Sequence, residues 1–187
     1  MPRSKDFLAG IFIGLGIGLG WYFGFGPGRV LVAGWFEKGE GWAARVPEKN
    51  QPAIDFSLPS LEGKEFRLQD YAGKPVIINF WATWCTPCRE EMPLIENYYR
   101  QHSSNVAVLA INDGDSLASV RSFVDEMGLS FPILLDQDSQ VSRLYKVLAL
   151  PTTLFIDQNG ILRYQHTGSL TEEQLLNYLE ELNLPSS

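Results

Sequence analysis

The chain has 187 residues, 45% of them hydrophobic and 20% charged, the balance of a globular protein and not of a disordered one. That length accommodates one ordinary domain with something added, and is short for two. Two cysteines are too few for a multi-disulfide scaffold or a four-cysteine zinc site, and a formal net charge of -7 argues against a nucleic-acid binder. The charge is uneven: residues 1–50 carry a net +2 and residues 51–187 a net -9, so an acidic globular part follows a near-neutral, glycine-rich leader.

Residues 1–6 hold Arg3 and Lys5, and from Phe7 to Gly28 no charged side chain occurs. The 22 residues FLAGIFIGLGIGLGWYFGFGPG would reach ~30 Å as a helix, about one hydrocarbon core. The run exceeds the ~7–15 residue apolar region of a cleaved signal peptide, and no clear small-x-small cleavage site follows closely. It therefore reads as one transmembrane signal-anchor over 7–28, with Trp21, Tyr22, Phe23 and Phe25 at the far interface. Arg3 and Lys5 favour a cytoplasmic N-terminus, although Arg29 beyond the other end makes the bias small. Glycines at 10, 14 and 18 and at 16, 20, 24 and 28 match the small-xxx-small spacing of paired helices, a pattern that a Gly-rich run also produces by chance. Residues 29–52, with Trp35, Trp42, Pro47 and Pro52, read as a juxtamembrane linker.

Residues 53–187 alternate strand and helix patterns. FSLPSLEGKEFRL suggests a hairpin about Glu62-Gly63-Lys64, and VIINFW (76–81) is a buried central strand. A helix is expected from about Pro87 to Gln101, a second strand at 106–112, a helix from Asp115 to Met127 ending at Gly128, and a third strand at 131–136. A short helix over 139–146 precedes strands 152–157 and 161–166, which flank the turn Gln158-Asn159-Gly160. Thr171 and Gln174 have capping-box spacing, with Leu170 and Leu175 as a staple, at the head of a last helix whose apolar face is Leu175, Leu176, Leu179 and Leu182. Strands joined by helices with a closing hairpin indicate an α/β fold, a mixed sheet covered by helices.

Both cysteines lie in Trp84-Cys85-Thr86-Pro87-Cys88, directly after the central strand and opening a helix. A CxxC in that position is a redox arrangement, because the two sulfurs can close a small disulfide ring and meet again as thiols. Pro87 suits a first helical turn, and Cys85 at the helix N-terminus gains stabilisation of its thiolate from free N–H groups. Cys85 is thus the nucleophile and Cys88 the resolving thiol. A metal site would need further ligands, and His102 and His166 stand 64 residues apart, so neither a metal nor a cofactor is expected; both histidines read as surface residues without a catalytic role. A purely structural disulfide is a weak alternative, since so short a loop removes little chain entropy. The peroxidatic pattern Pro-x-x-x-Thr-x-x-Cys is absent: its places hold Ile78 and Ala82 for Cys85, and Trp81 and Cys85 for Cys88.

INFWATWCTPCREEMP (78–93) resembles the active-site segment of the TlpA/ResA group of membrane-anchored thioredoxin-like proteins, within the superfamily that includes the AhpC/TSA redoxins. The similarity extends over most of 53–183, through the leading hairpin, GKPVIINFWATWCTPC, the segment 112–147 and LPTTLFID. It implies a thioredoxin-like fold, a redox-active Cys85–Cys88 disulfide and thiol–disulfide exchange outside the cytoplasm; better-known members reduce substrates in cytochrome c assembly. Asn79 stands where thioredoxins carry a buried Asp, and Glu91, three residues beyond Cys88, matches the group's compensating Glu. The resemblance gives Glu91 a role in proton exchange with the thiols, with its pKa raised by partial burial, while Glu90 fits a solvated position. It also implies a cis bond before Pro151 and a substrate-binding surface of Trp84, Pro87, Leu150, Pro151 and Thr152. Pro93 is expected to kink its helix.

Thr86-Pro87 places no charge between the cysteines, and Glu90 and Glu91 oppose an anionic sulfur, which favours a reductant; Arg89 works against this. The expected partners are a disulfide-bearing protein such as an apocytochrome c with its CxxCH pair, and a membrane thiol donor of the CcdA/DsbD kind. Two alternatives stay open: a disulfide oxidase or isomerase, and a thioredoxin-like module that binds without turnover.

Overall fold

A computed structural model describes residues 48–184. The segments read as cytoplasmic N-terminus (1–6), membrane anchor (7–28) and the linker up to residue 47 lie outside the described residues. Among those described, no helix is long and apolar enough to cross a membrane.

VIINFW forms β4 (Val76–Trp81), buried at every position. Its register places it between β5 (Ala107–Asp113), which is parallel, and β7 (Thr152–Ile156), which is antiparallel. The parallel pairing needs a crossover, and α1 (Thr86–His102) supplies it. The sheet continues outward from β5 to β6 (Ile133–Asp136), parallel, and from β7 to β8 (Ile161–Thr167), antiparallel. Its strand order is β1-β8-β7-β4-β5-β6, where β1 is Gln51–Pro52. A separate hairpin joins β2 (Ser57–Pro59) to β3 (Glu65–Arg67), followed by a 3-10 turn at Leu68–Tyr71. Gln51 and Pro52 pair with Leu162 and Ile161, so the end of the stretch read as linker belongs to the sheet. Two residues are too few to show periodicity, and Pro52 is tolerated because it lies on an edge.

The pleat divides the core into two layers. Val76, Ile78 and Phe80 pack with Leu154, Ile156, Phe56, Leu58, Val141 and Tyr145 on one face. Ile77 and Trp81 face α1 (Cys88, Met92, Ile95, Tyr98), α2 (Leu117–Met127; Val120, Phe123) and α4 (Glu172–Glu181; Leu175, Leu179). Asn79 has the same parity as Ile77, and Thr153 the same parity as Phe155, so both point toward α1.

The buried stripe of α1 runs Cys88, Glu91, Met92, Ile95, Glu96, Tyr98, His102. His102 is therefore buried, its ring centroid 4.6 Å from that of Tyr98, and the expectation of a surface histidine is corrected. The helical period carries it to the core side. Pro93 is exposed on the opposite side, where the missing N–H is not enclosed, and α1 continues through it to His102. α2 begins two residues later than its spacing suggests, because Ser116 is the cap, accepting the Ser119 N–H at 3.2 Å. It ends at Gly128, whose φ of 63° suits a residue without Cβ. α3 is only Gln140–Leu144, and the Asp136 carboxylate accepts the Val141 and Ser142 N–H groups at 3.2 and 2.7 Å. At α4 the capping box forms: Thr171 Oγ1 accepts the Gln174 N–H, and Gln174 Oε1 accepts the Thr171 N–H.

Ile78 has no exposed surface at the centre of β4. Ile78→Ala is expected to lower unfolding free energy by about 3 kcal/mol, read as a drop in the urea midpoint of the oxidised protein.

Candidate active site

Cys85 is the last residue of the loop after β4 and the N-cap of α1. Its Sγ accepts the Cys88 N–H at 3.2 Å, the place a capping oxygen takes in other helices. The same sulfur is bonded to Cys88, with the two Cα atoms 5.2 Å apart. Pro87 lies in the first turn, where its missing N–H costs no helical bond. When the disulfide opens, the sulfur at the cap retains an N–H donor and the positive end of α1. Cys88 is wholly buried and Cys85 is 4% exposed, while the neighbouring Trp84 is 72% exposed.

Glu91 lies one turn inside α1 and is 2% exposed. Its Oε1 accepts the Asn79 amide at 2.7 Å and its Oε2 accepts the Leu170 N–H at 2.8 Å. Asn79 Nδ2 also donates to Thr153 Oγ1 at 3.0 Å. Burial raises the carboxyl to about 7, and the donations from Leu170 and Asn79 oppose this without cancelling it. A group of that pKa exchanges protons near neutrality. Glu90 is exposed, as its solvated reading requires.

The Leu150–Pro151 bond is cis. Leu150 is half-buried and packs against the layer that contains both cysteines. Thr152 is fully buried, with its hydroxyl donating to the Ala149 carbonyl at 2.7 Å, so its side chain does not face an incoming substrate. The reason is that β7 runs inside the sheet from its first residue. Leu148, on the approach to the cis bond, is 94% exposed instead.

Sequence reasoning missed the segment that joins these parts. Gly168 N–H donates to the Pro151 carbonyl at 2.9 Å, Ser169 Oγ to the Pro87 carbonyl at 3.1 Å, and Leu170 N–H to Glu91. Three consecutive residues thus connect the cis-proline loop, the CxxC turn and the buried carboxyl. The only local signal was the capping box just after them. Asp115 was missed as well: its Oδ2 accepts the Thr83 N–H at 2.6 Å and the Asn112 amide at 2.8 Å, fixing the turn before Trp84. Arg89 bonds Glu126 at 2.6 Å and lies 4.6 Å over the Phe123 ring. Among the described residues no cluster of His, Cys, Asp and Glu has the arrangement of a metal site.

A CxxC disulfide capping the helix that follows the central strand, beside a cis-proline loop, defines a thiol–disulfide oxidoreductase of thioredoxin-like fold. The chain belongs to the AhpC/TSA family, whose model matches residues 50–165. It is 44% identical over 131 residues to the thiol-disulfide oxidoreductase ResA of Geobacillus thermodenitrificans, covering 70% of this chain and 75% of that protein. With the thioredoxin-like protein YneN of Bacillus subtilis it shares 40% identity over 136 residues, 71% of this chain and 79% of the other. A Chlorobium tepidum structure assigned as the thiol:disulfide interchange protein DsbE superposes with a TM-score of 0.65 at 31% identity, covering 71% of this chain and 99% of that one.

A carboxyl near 7 in the folded protein and near 4.5 when unfolded binds more protons folded between those values. Its contribution to stability is full below about pH 4.5 and is lost as pH rises toward about 7, an effect on the order of 3 kcal/mol. Denaturant titration of the oxidised protein at pH 5 and pH 8 should therefore show a fall toward pH 8 that Glu91→Gln reduces.

Proposed function

We propose that the protein is a membrane-tethered reductase of protein disulfides, with its catalytic domain outside the cytoplasm. The observation that carries this reading is the charge around the cysteine pair. Arg89 is neutralised by Glu126, Thr86-Pro87 is uncharged, Asp115 accepts the N–H of Thr83 two residues before Cys85, and Glu91 stands three residues beyond Cys88. Each opposes a thiolate more than a disulfide, which lowers the reduction potential and makes the dithiol a donor of electrons.

In the forward direction the Cys85 thiolate attacks one sulfur of a substrate disulfide. The substrate S–S bond breaks, its second sulfur leaves as thiolate and takes a proton from solvent, and a mixed disulfide joins Cys85 to the substrate. Glu91 as carboxylate accepts the Cys88 thiol proton, and the Cys88 thiolate attacks Cys85 Sγ. The reduced substrate is released, and the chain is left with the Cys85–Cys88 disulfide and a protonated Glu91. Two electrons have passed to the substrate. The buried position of Cys88 supports its assignment as the resolving thiol, since only an intramolecular partner has access to it.

The uncharged run 7–28 supports a single membrane anchor with a cytoplasmic N-terminus. Tethering concentrates the domain beside a thiol donor of the CcdA/DsbD kind in the same membrane, which would restore the dithiol. The resemblance of 78–93 to the TlpA/ResA group is the support for an extracytoplasmic protein substrate, and the CxxCH disulfide of an apocytochrome c is the one we propose.

The potential of the couple, measured against glutathione, should lie nearer about -270 mV than about -120 mV; a value at the upper figure would reverse the direction. In membranes, Cys88→Ser should accumulate a mixed disulfide on Cys85 that carries the substrate. Recovery of no adduct under conditions that trap a control thioredoxin would refute the enzyme reading.

A further inference from the structure

Among the described residues four buried side-chain atoms have no hydrogen-bond partner: Asn79 Oδ1, Trp81 Nε1, Asp113 Oδ1 and Ser142 Oγ. Trp81 Nε1 is the one that can only donate, since an indole nitrogen has no lone pair to offer. Asn79 Oδ1 is an acceptor, and Ser142 lies in α3, whose Val141 packs on the opposite layer. Trp81 has no exposed surface. An unmade bond from so buried a donor costs about 1–3 kcal/mol, which calls for a state of the protein in which the bond is made.

The surroundings of this donor follow from the pleat. Trp81 ends β4 with the parity of Ile77 and Asn79, so its ring enters the layer formed by α1 and α2. Its ring centroid lies 4.6 Å from that of Phe123, and Cys85, Cys88 and Met92 belong to the same buried cluster. The chain turns back directly after it. Cys85 N–H donates to the Ala82 carbonyl at 3.2 Å, which returns the head of α1 to the end of β4. The other donors at this end are committed. Cys88 N–H is taken by Cys85 Sγ, both hydrogens of the Asn79 amide by Glu91 and Thr153, and the Arg89 guanidinium by Glu126.

Cys85 Sγ thus has a donor, and among the described residues Cys88 Sγ has none. In the disulfide neither sulfur carries charge, and Cys88 needs no donor. The resolving step changes this, because it makes a thiolate of a side chain that is wholly buried. A buried anion without a donor is strongly disfavoured. Opening the disulfide frees the Cys88 sulfur to move off Cys85, toward the remaining N–H of its own layer.

We propose that Trp81 Nε1–H donates to the Cys88 thiolate, in a hydrogen bond that the disulfide lacks and that forms when the reduced pair gives up a proton. The inference rests on the exchange reaction at the cysteine pair and not on its direction. The step balances without the indole losing its proton. The Cys88 thiol proton passes to Glu91, and the Cys88 thiolate attacks Cys85 Sγ. The bond between Cys85 and the substrate sulfur breaks as the Cys85–Cys88 bond forms, and the substrate leaves as thiolate. Trp81 stabilises the attacking anion and is left without an acceptor once the disulfide closes.

The test uses the full chain with 15N-labelled tryptophan, in which Trp81 gives one of five indole signals. Its resonance, assigned by contact with the Phe123 ring, should move downfield when the reduced protein is taken through its thiol titration, and should stay in place in the oxidised protein. Glu91 titrates in the same layer, so the comparison is with Cys88→Ser, which retains Glu91 and should show no movement. Trp81→Phe keeps a ring against Phe123 and removes the N–H. In a Cys85→Ser background it should raise the Cys88 pKa, read from thiolate absorbance, by about one unit, a tenfold loss of thiolate at fixed pH. A Trp81 resonance unmoved by thiol titration, or one that moves equally in Cys88→Ser, would overturn the proposal even if Trp81→Phe fails to fold. A Cys88 pKa unchanged in folded Trp81→Phe would overturn it as well. Reduction of a disulfide peptide by wild type, measured alongside, separates these results from the oxidoreductase reading, which only a loss of that turnover would damage.

Discussion

The junction between β4 and α1 is the constraint on which the rest depends. A strand buried on both faces must end abruptly, and the helix that follows must begin with unpaired N–H groups. Here the group that satisfies one of them is the sulfur of Cys85. A single arrangement therefore caps the helix, positions the Cys85 sulfur and prepares a favourable site for negative charge on it. Everything else at this end of the sheet braces that turn. Asp115 holds its entry, Ser169 its middle, and the Cys85–Cys88 disulfide closes it.

Electrostatics around the turn pull in two directions. The N-terminus of α1 favours the Cys85 thiolate and the nearby carboxylates oppose it, while burial disfavours a thiolate at Cys88. Glu91 is held by two donors and yet stays near neutrality in pKa, because removal from water outweighs both hydrogen bonds. Asn79 contributes by being an amide. It can donate to Glu91 and Thr153 at once, which a second carboxylate in its place could not do without adding a like charge. An Asp at 79 would set a second titrating group against Glu91, and the amide does not.

Most of the fold was legible because its signals are local. β4 showed itself as an apolar run, α4 by its capping box, the hairpins by their turns, and α2 by Gly128. The CxxC was legible for the same reason: its chemistry depends on two residues three apart at a strand-to-helix boundary. Boundaries were less so. Asp115 looked like a helix start, but its side chain is taken up by Thr83 and Asn112, which leaves Ser116 as the cap. His102 looked like a surface residue until the stripe of α1 turned it inward, and β1 is too short for any pattern.

The sequence by itself determined the redox motif of this protein: two cysteines, their spacing at a strand-to-helix boundary, and the carboxyl one turn away. All of that is written within 78–93, since a helix relates its own residues to one another. The tertiary structure decided what surrounds the chemistry. Only folding brings Gly168–Leu170 onto the CxxC turn and Glu91, directs Arg89 to Glu126 and buries Thr152. These contacts join residues far apart in the chain, and their geometry is set by strand order and pleat, which no local pattern encodes.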